Sequence, residues 1–150
     1  MATRNVLLIL LFFLGLGAIF GGCLLIISPS GKLLGMPLSF LDNSPFKSFL
    51  IPGTILFFAL GLAPVLVAIE LIKKPANHVF HLFNFFKDMH WAWAFTIYIA
   101  FTLMIWIQVQ MIIIQAVHWL HIFFMVLAVT IIFVAFLPVV RNLYKRKVTN

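Results

Sequence analysis

Charge is scarce in this chain and acid scarcer still: 9% of its 150 residues are charged, and only Asp42, Glu70 and Asp88 are acidic. A water-soluble fold of this size could not cover itself with so little polarity, because 65% of the residues are hydrophobic. A single cysteine, Cys23, excludes an internal disulfide. No repeat, low-complexity segment or long polar linker divides the sequence, so one domain over residues 1–150 is expected. No nucleophile-and-base pairing, glycine-rich phosphate loop or specific metal-ligand spacing occurs either, and catalysis is not expected. No cofactor is implied.

What the chain does have is long apolar runs. A hydrocarbon core of ~30 Å needs about 20 apolar helical residues. Runs of that length lie at 6–27, 49–72 (interrupted only by Glu70) and 92–140. The last is long enough for two spans with a tight turn. The expected fold is all-α, a four-transmembrane-helix bundle with spans near 6–27, 49–72, 92–113 and 118–140, because helices satisfy their own backbone where water is absent.

The formal charge of +7 is a topology signal and not a nucleic-acid footprint. Arg4, Lys73, Lys74, Lys87, Arg141, Lys145, Arg146 and Lys147 fall at the two ends and the middle loop, against Lys32 and Lys47 on the other side. The positive-inside rule then places both termini in the cytoplasm. The expected location is a bacterial inner membrane, with the lipid bilayer and other membrane subunits or further copies of the chain as partners. Phe20-Gly21-Gly22-Cys23 resembles a lipoprotein cleavage box, but Leu24 to Ile27 continue the apolar run to full spanning length, so an uncleaved first span is expected.

Within the spans, the pairs Gly17/Gly21 and Ala18/Gly22 put small residues one turn apart, where another helix can approach closely. Pro52 suits a first helical turn, and Pro64 is interior, where it should distort the second span. Residues 76–91 carry Asn77, His81, Asn84 and Asp88 at helical spacing, with apolar residues between, which predicts an amphipathic helix in the cytoplasmic interface. Trp91, Trp93 and Trp119 fit interfacial aromatic belts.

Two histidine pairs, His78/His81 and His118/His121, suggest a haem or metal site, but the topology separates them by ~30 Å of hydrocarbon. The outer pair is the more interesting. Gln115, His118 and His121, with Gln110 from the third span and Asp42 from the external loop, form the candidate ligand-binding set. Thr102, Trp106 and Gln110 share one face of the third span, and Gln108 points elsewhere; hydrogen bonds between helices are their plainest role. Glu70 precedes Lys73 and Lys74 at i+3 and i+4, an ordinary helical ion-pair arrangement.

The external stretch 28–53 holds four prolines, three glycines and five serines, yet also Leu33, Leu34, Met36, Leu38, Phe40, Leu41 and Phe46. It should fold back as a structured cap with these apolar residues facing the bundle and Asp42 near the histidine-bearing turn. Residues 24–57, with Pro29 to Gly31, Leu34 to Pro37, Ser44 to Phe46 and Ile51 to Gly53, together with WIQVQ at 106–110, resemble a family of small bacterial four-helix membrane proteins, loosely DoxX-like in size and topology. That resemblance implies a membrane bundle and no particular activity. DoxX-type proteins include subunits associated with quinone-linked oxidation, but no functional residue of theirs matches a position here, so a quinone is an analogy and not an implication of the resemblance. Two functions follow as expectations: an accessory or scaffolding subunit of a membrane complex, or a binder of a lipid or quinone-like ligand in an outer pocket. A haem-bearing redox subunit is the third.

Overall fold

The computed structural model describes residues 2–73, 80 and 82–146. Four helices long and apolar enough to cross a membrane follow one another: α1 (Ala2–Ile27), α2 (Leu50–Lys73), α3 (Trp91–Ile114) and α4 (Trp119–Phe136). Short α5 (Pro138–Leu143) completes the chain's helices among the described residues. The fourth span ends at Phe136 and does not run to Val140, because Leu137 is extended (ψ 134) ahead of Pro138. α1 packs chiefly on α2, and α3 chiefly on α4. Ala2, residues 82–90 and residues 144–146 therefore share one end of the bundle, and the cap occupies the other.

Glycine brings α1 and α2 together at Gly22, a member of one pair that spacing suggests, and at Gly15, but not at the pair Gly17/Gly21. A methyl group on Gly15 would stand 2.8 Å from the Gly61 carbonyl oxygen, and one on Gly22 would stand 2.9 Å from that of Gly53. Gly53 and Gly61 answer from α2, each meeting α1 side chains below 3.0 Å. A methyl group on Gly17 would meet nothing within 4 Å and one on Gly21 would make ordinary contact, so neither lies in this seam. The backbone of α2 widens over Leu56–Leu62, where N–H groups reach five residues back; the Ala63 N–H bonds to the Phe58 carbonyl. Such a turn, immediately before the ring of Pro64, accommodates the missing donor there.

The remaining helices are held by two indole and phenol bonds. Trp93 Nε1 donates to the Ala135 carbonyl at 2.8 Å, tying α3 to α4, and the Tyr144 hydroxyl donates to the Leu71 carbonyl at 3.0 Å. Trp91 and Trp93 are thus core residues and do not form a lipid-facing belt, a role left to Trp119, which is 71% exposed. Burial pushes the Tyr144 phenol above its ordinary value, with the Arg4 guanidinium opposing. The stability it contributes is intact below the ordinary tyrosine range and is lost as pH rises through the raised value.

The expected amphipathic helix over 76–91 needs correction. Residues 82–90 are turns, and Lys74 to Val79 and His81 lie outside the described residues. The reason is Asn84, which is 1% exposed and is not on a polar helix face. Its side chain accepts from Phe86 N–H at 3.0 Å and donates to the Met89 carbonyl at 2.8 Å. An asparagine that bonds to neighbouring backbone in this way competes with the helix. The turn then pairs with the chain's end: His90 N–H bonds to the Tyr144 carbonyl at 2.7 Å and Arg146 N–H to that of Asp88 at 2.8 Å.

Candidate functional site

The cap is a folded structure. Gly31 adopts φ 76 and Gly35 φ 65, left-handed values that glycine accepts without strain, and each borders a tight helical turn. The Phe49 N–H closes the loop on the Pro29 carbonyl at 2.8 Å. Leu41 and Phe49 are buried with Leu25 of α1, and Met36, Phe40 and Phe46 pack around them against Ile113 of α3. Leu33, Leu34 and Leu38 depart from expectation, since they point away from the bundle; Leu33 is 58% exposed. The two short turns give the cap two faces, and only one can be inward.

Under the cap end, the four helices leave an apolar cavity of about 190 Å³. Its walls come from Leu14, Gly17, Ala18 and Gly21 of α1, Leu56 and Leu60 of α2, and Trp106 and Gln110 of α3, with Phe124 of α4 closing it. A narrower space of about 60 Å³ continues beneath the cap between Met36, Phe40 and Phe46. Leu56, Trp106 and Gln110 line both, so the two are continuous in their walls. Gly17 is exposed as well as cavity-lining, which opens the larger space sideways toward lipid.

The shared face of Trp106 and Gln110 expected from their spacing is therefore real, and it looks into this cavity. Neither side chain has a hydrogen-bond partner among the described residues. The bonds between helices anticipated for this group do not form. Thr102 donates to the Tyr98 carbonyl one turn back at 2.8 Å, and the Tyr98 hydroxyl accepts from Phe85 N–H at 3.1 Å. Gly17, Gly21 and the cap aromatics were not in the expected ligand-binding set; the α1 glycine spacing was the signal for the first two, and the apolar content of the cap that for Phe40 and Phe46.

The rest of that set is dispersed. Gln115 ends α3 in a left-handed conformation (φ 53) and turns its amide onto the Ile112 carbonyl. His121 is buried, and its Nδ1 accepts the His118 N–H at 3.1 Å, so it caps the start of α4. It lines a different groove, between α3 and α4, with Gln108 and Met111. His118 is exposed, its ring 6.4 Å from that of Phe40. Asp42 is exposed and makes no ion pair among the described residues; its neighbour Asn43 makes the bridge instead, donating to the Ile113 carbonyl at 3.4 Å. No group of three or more His, Cys, Asp or Glu that could hold a metal occurs among the described residues. His78 and His81 lie outside them.

Electrostatics at the other end are equally sparse. Glu70 makes no ion pair with Lys73, and the single bridge among the described residues joins Arg141 to Asp88 at 3.8 Å. Comparison of the chain with protein-family models, with curated proteins and with solved structures gives no match.

Proposed function

We propose that this chain is a non-enzymatic integral membrane protein that binds an apolar bilayer molecule, a lipid or quinone-like compound, in the capped cavity. One observation carries the reading: an apolar space walled by all four helices and open at Gly17, whose wall presents two polar groups without partners among the described residues, Trp106 and Gln110, where it meets the cap. An engineered apolar cavity of about 150 Å³ holds a benzene-sized molecule. The volume here suits one ring or a chain segment, with the rest of the ligand lying outside the Gly17 opening. The Gln110 amide offers both a donor and an acceptor, as a carbonyl- or hydroxyl-bearing ring requires.

The loose DoxX-like resemblance agrees with a quinone-type ligand. The positions of Arg4, Lys73, Lys87, Arg141, Lys145 and Arg146 at the terminus-bearing end support a bacterial inner-membrane orientation with both termini cytoplasmic and the cap outside.

Organic extraction of the protein purified in neutral detergent, followed by mass spectrometry, tests the reading. About one apolar molecule per chain is expected beyond bulk lipid, and Gln110→Leu should lower its retention about three- to tenfold, the worth of one hydrogen bond. An empty wild-type protein overturns it.

A second reading, an accessory subunit of a membrane complex, rests on the outward row of Leu33, Leu34 and Leu38 on the cap. The glycine face of α1 adds little to it, because Gly15 and Gly22 are used within the chain. Purification in mild detergent should then yield a stoichiometric membrane partner or an oligomer. A monodisperse monomer contradicts it.

A further inference from the structure

A second cleft, at the opposite end of the bundle, has a different chemistry. It measures about 350 Å³ and is lined by Ala63, Leu66, Val67 and Glu70 of α2, by Phe80, and by Trp91 and Phe95 of α3. Glu70 Oε2 and Trp91 Nε1 are both buried, and neither has a hydrogen-bond partner among the described residues. Burying a carboxylate oxygen and an indole N–H without partners is unfavourable, and two such groups on one wall mark a place where something else satisfies them. Lys73, one turn further on, does not.

The groups differ in what they need. A carboxylate calls for a cation or donor, and an indole N–H calls for an acceptor. Three aromatic rings line the same cleft: Phe80 is stacked on Trp91 at 4.6 Å, and Phe95 meets Trp91 edge-on at 5.5 Å. Aromatic walls beside a carboxylate favour an organic ammonium over a metal ion.

Depth completes the specification. Glu70 is three residues from Lys73, the last described residue of α2, about 5 Å along the axis. Ala63 lies seven residues deeper, about 10 Å toward the bilayer centre. Glu70 and Trp91 thus lie near the ends of their helices, and the apolar wall runs inward from them.

We propose that this cleft binds an amphiphile whose headgroup carries an ammonium and, a few atoms away, an acceptor oxygen. The ammonium sits on Glu70 against the aromatic rings, the oxygen accepts from Trp91 Nε1, and the apolar chain follows Ala63 and Leu66. This site is separate from the capped cavity and stands or falls without it. Two sources share its chemistry: a phosphoethanolamine lipid headgroup and a free lipophilic amino alcohol.

The test uses the full chain purified in a neutral maltoside detergent and measures dissociation constants by thermophoresis. The probes are 2-(dodecylamino)ethanol and 2-(dodecyloxy)ethanol, which differ in having nitrogen or oxygen at one position. Wild type is expected to bind the amine about tenfold or more tightly than the ether, and Glu70→Gln to erase that preference while Glu70→Asp keeps part of it. A parallel arm compares dilauroyl phosphatidylethanolamine with dilauroyl phosphatidylglycerol. Preference for the former identifies a lipid headgroup, and preference confined to the amino alcohol identifies a free ligand. The proposal is overturned if wild type fails to distinguish amine from ether, or if Glu70→Gln binds the amine as wild type does. The wild-type comparison decides alone should Glu70→Gln fail to fold.

Discussion

Replacing Gly22 with alanine is expected to destabilise the bundle by about 1–3 kcal/mol, the usual cost of overpacking a well-filled contact. The added methyl group would sit 2.8 Å from Phe57 Cβ and 2.9 Å from the Gly53 carbonyl oxygen. Neither atom is the far end of a flexible side chain, so α1 and α2 must move apart. Gly15→Ala meets the Gly61 carbonyl at 2.8 Å and should behave alike. Gly17→Ala, with nothing within 4 Å, supplies the comparison and should be neutral or slightly stabilising, since alanine is the better helix former. Reversible unfolding in mixed micelles measures all three. A Gly22→Ala protein as stable as Gly17→Ala would contradict the packing described here.

Asn84→Ala should cost about 2–4 kcal/mol, because it strands two groups and not one. The Met89 carbonyl and the Phe86 N–H both lose their partner, and Met89 is fully buried. Substitution at Asp88, four residues on, provides the contrast. Its bridge to Arg141 spans 3.8 Å between side chains that are each about half exposed, so Asp88→Ala should change stability by less than about 0.5 kcal/mol. The same unfolding measurement distinguishes a loop organised by buried asparagine from one organised by surface charge. Equal effects at the two positions would favour the latter.

Residues 82–90 show where reading the sequence reached its limit. The four spans were legible because each needs only an unbroken apolar run of sufficient length, and length does not depend on tertiary context. The α2–α3 connection was not, since Asn84 and Asp88 have the spacing of a polar helix face and nothing in spacing reveals that an amide will bond to the Met89 carbonyl. Glycine was legible as a signal of close approach, but Gly15 and Gly22 make the contact while Gly17 and Gly21 leave space. Which small residue meets a partner depends on how α1 is rotated, and the sequence of α1 alone does not set that rotation. For the site, Trp106 and Gln110 were correctly placed on one face. His118 and His121 were drawn into the same set by proximity in sequence, whereas His121 is consumed by capping α4 and faces another groove.

The central claim is that the capped cavity exists to hold an apolar molecule, and filling it tests that most directly. A Cβ on Gly17 would meet nothing within 4 Å and Gly17 lines the cavity, so Gly17→Leu is expected to reach into that space and leave the α1–α2 seam intact. Native mass spectrometry of wild type and of this variant, released from the same neutral detergent, reads occupancy chain by chain. The account predicts one apolar adduct on wild type and its loss from a folded Gly17→Leu protein. An adduct retained equally by both, or a wild type that carries none, would contradict it.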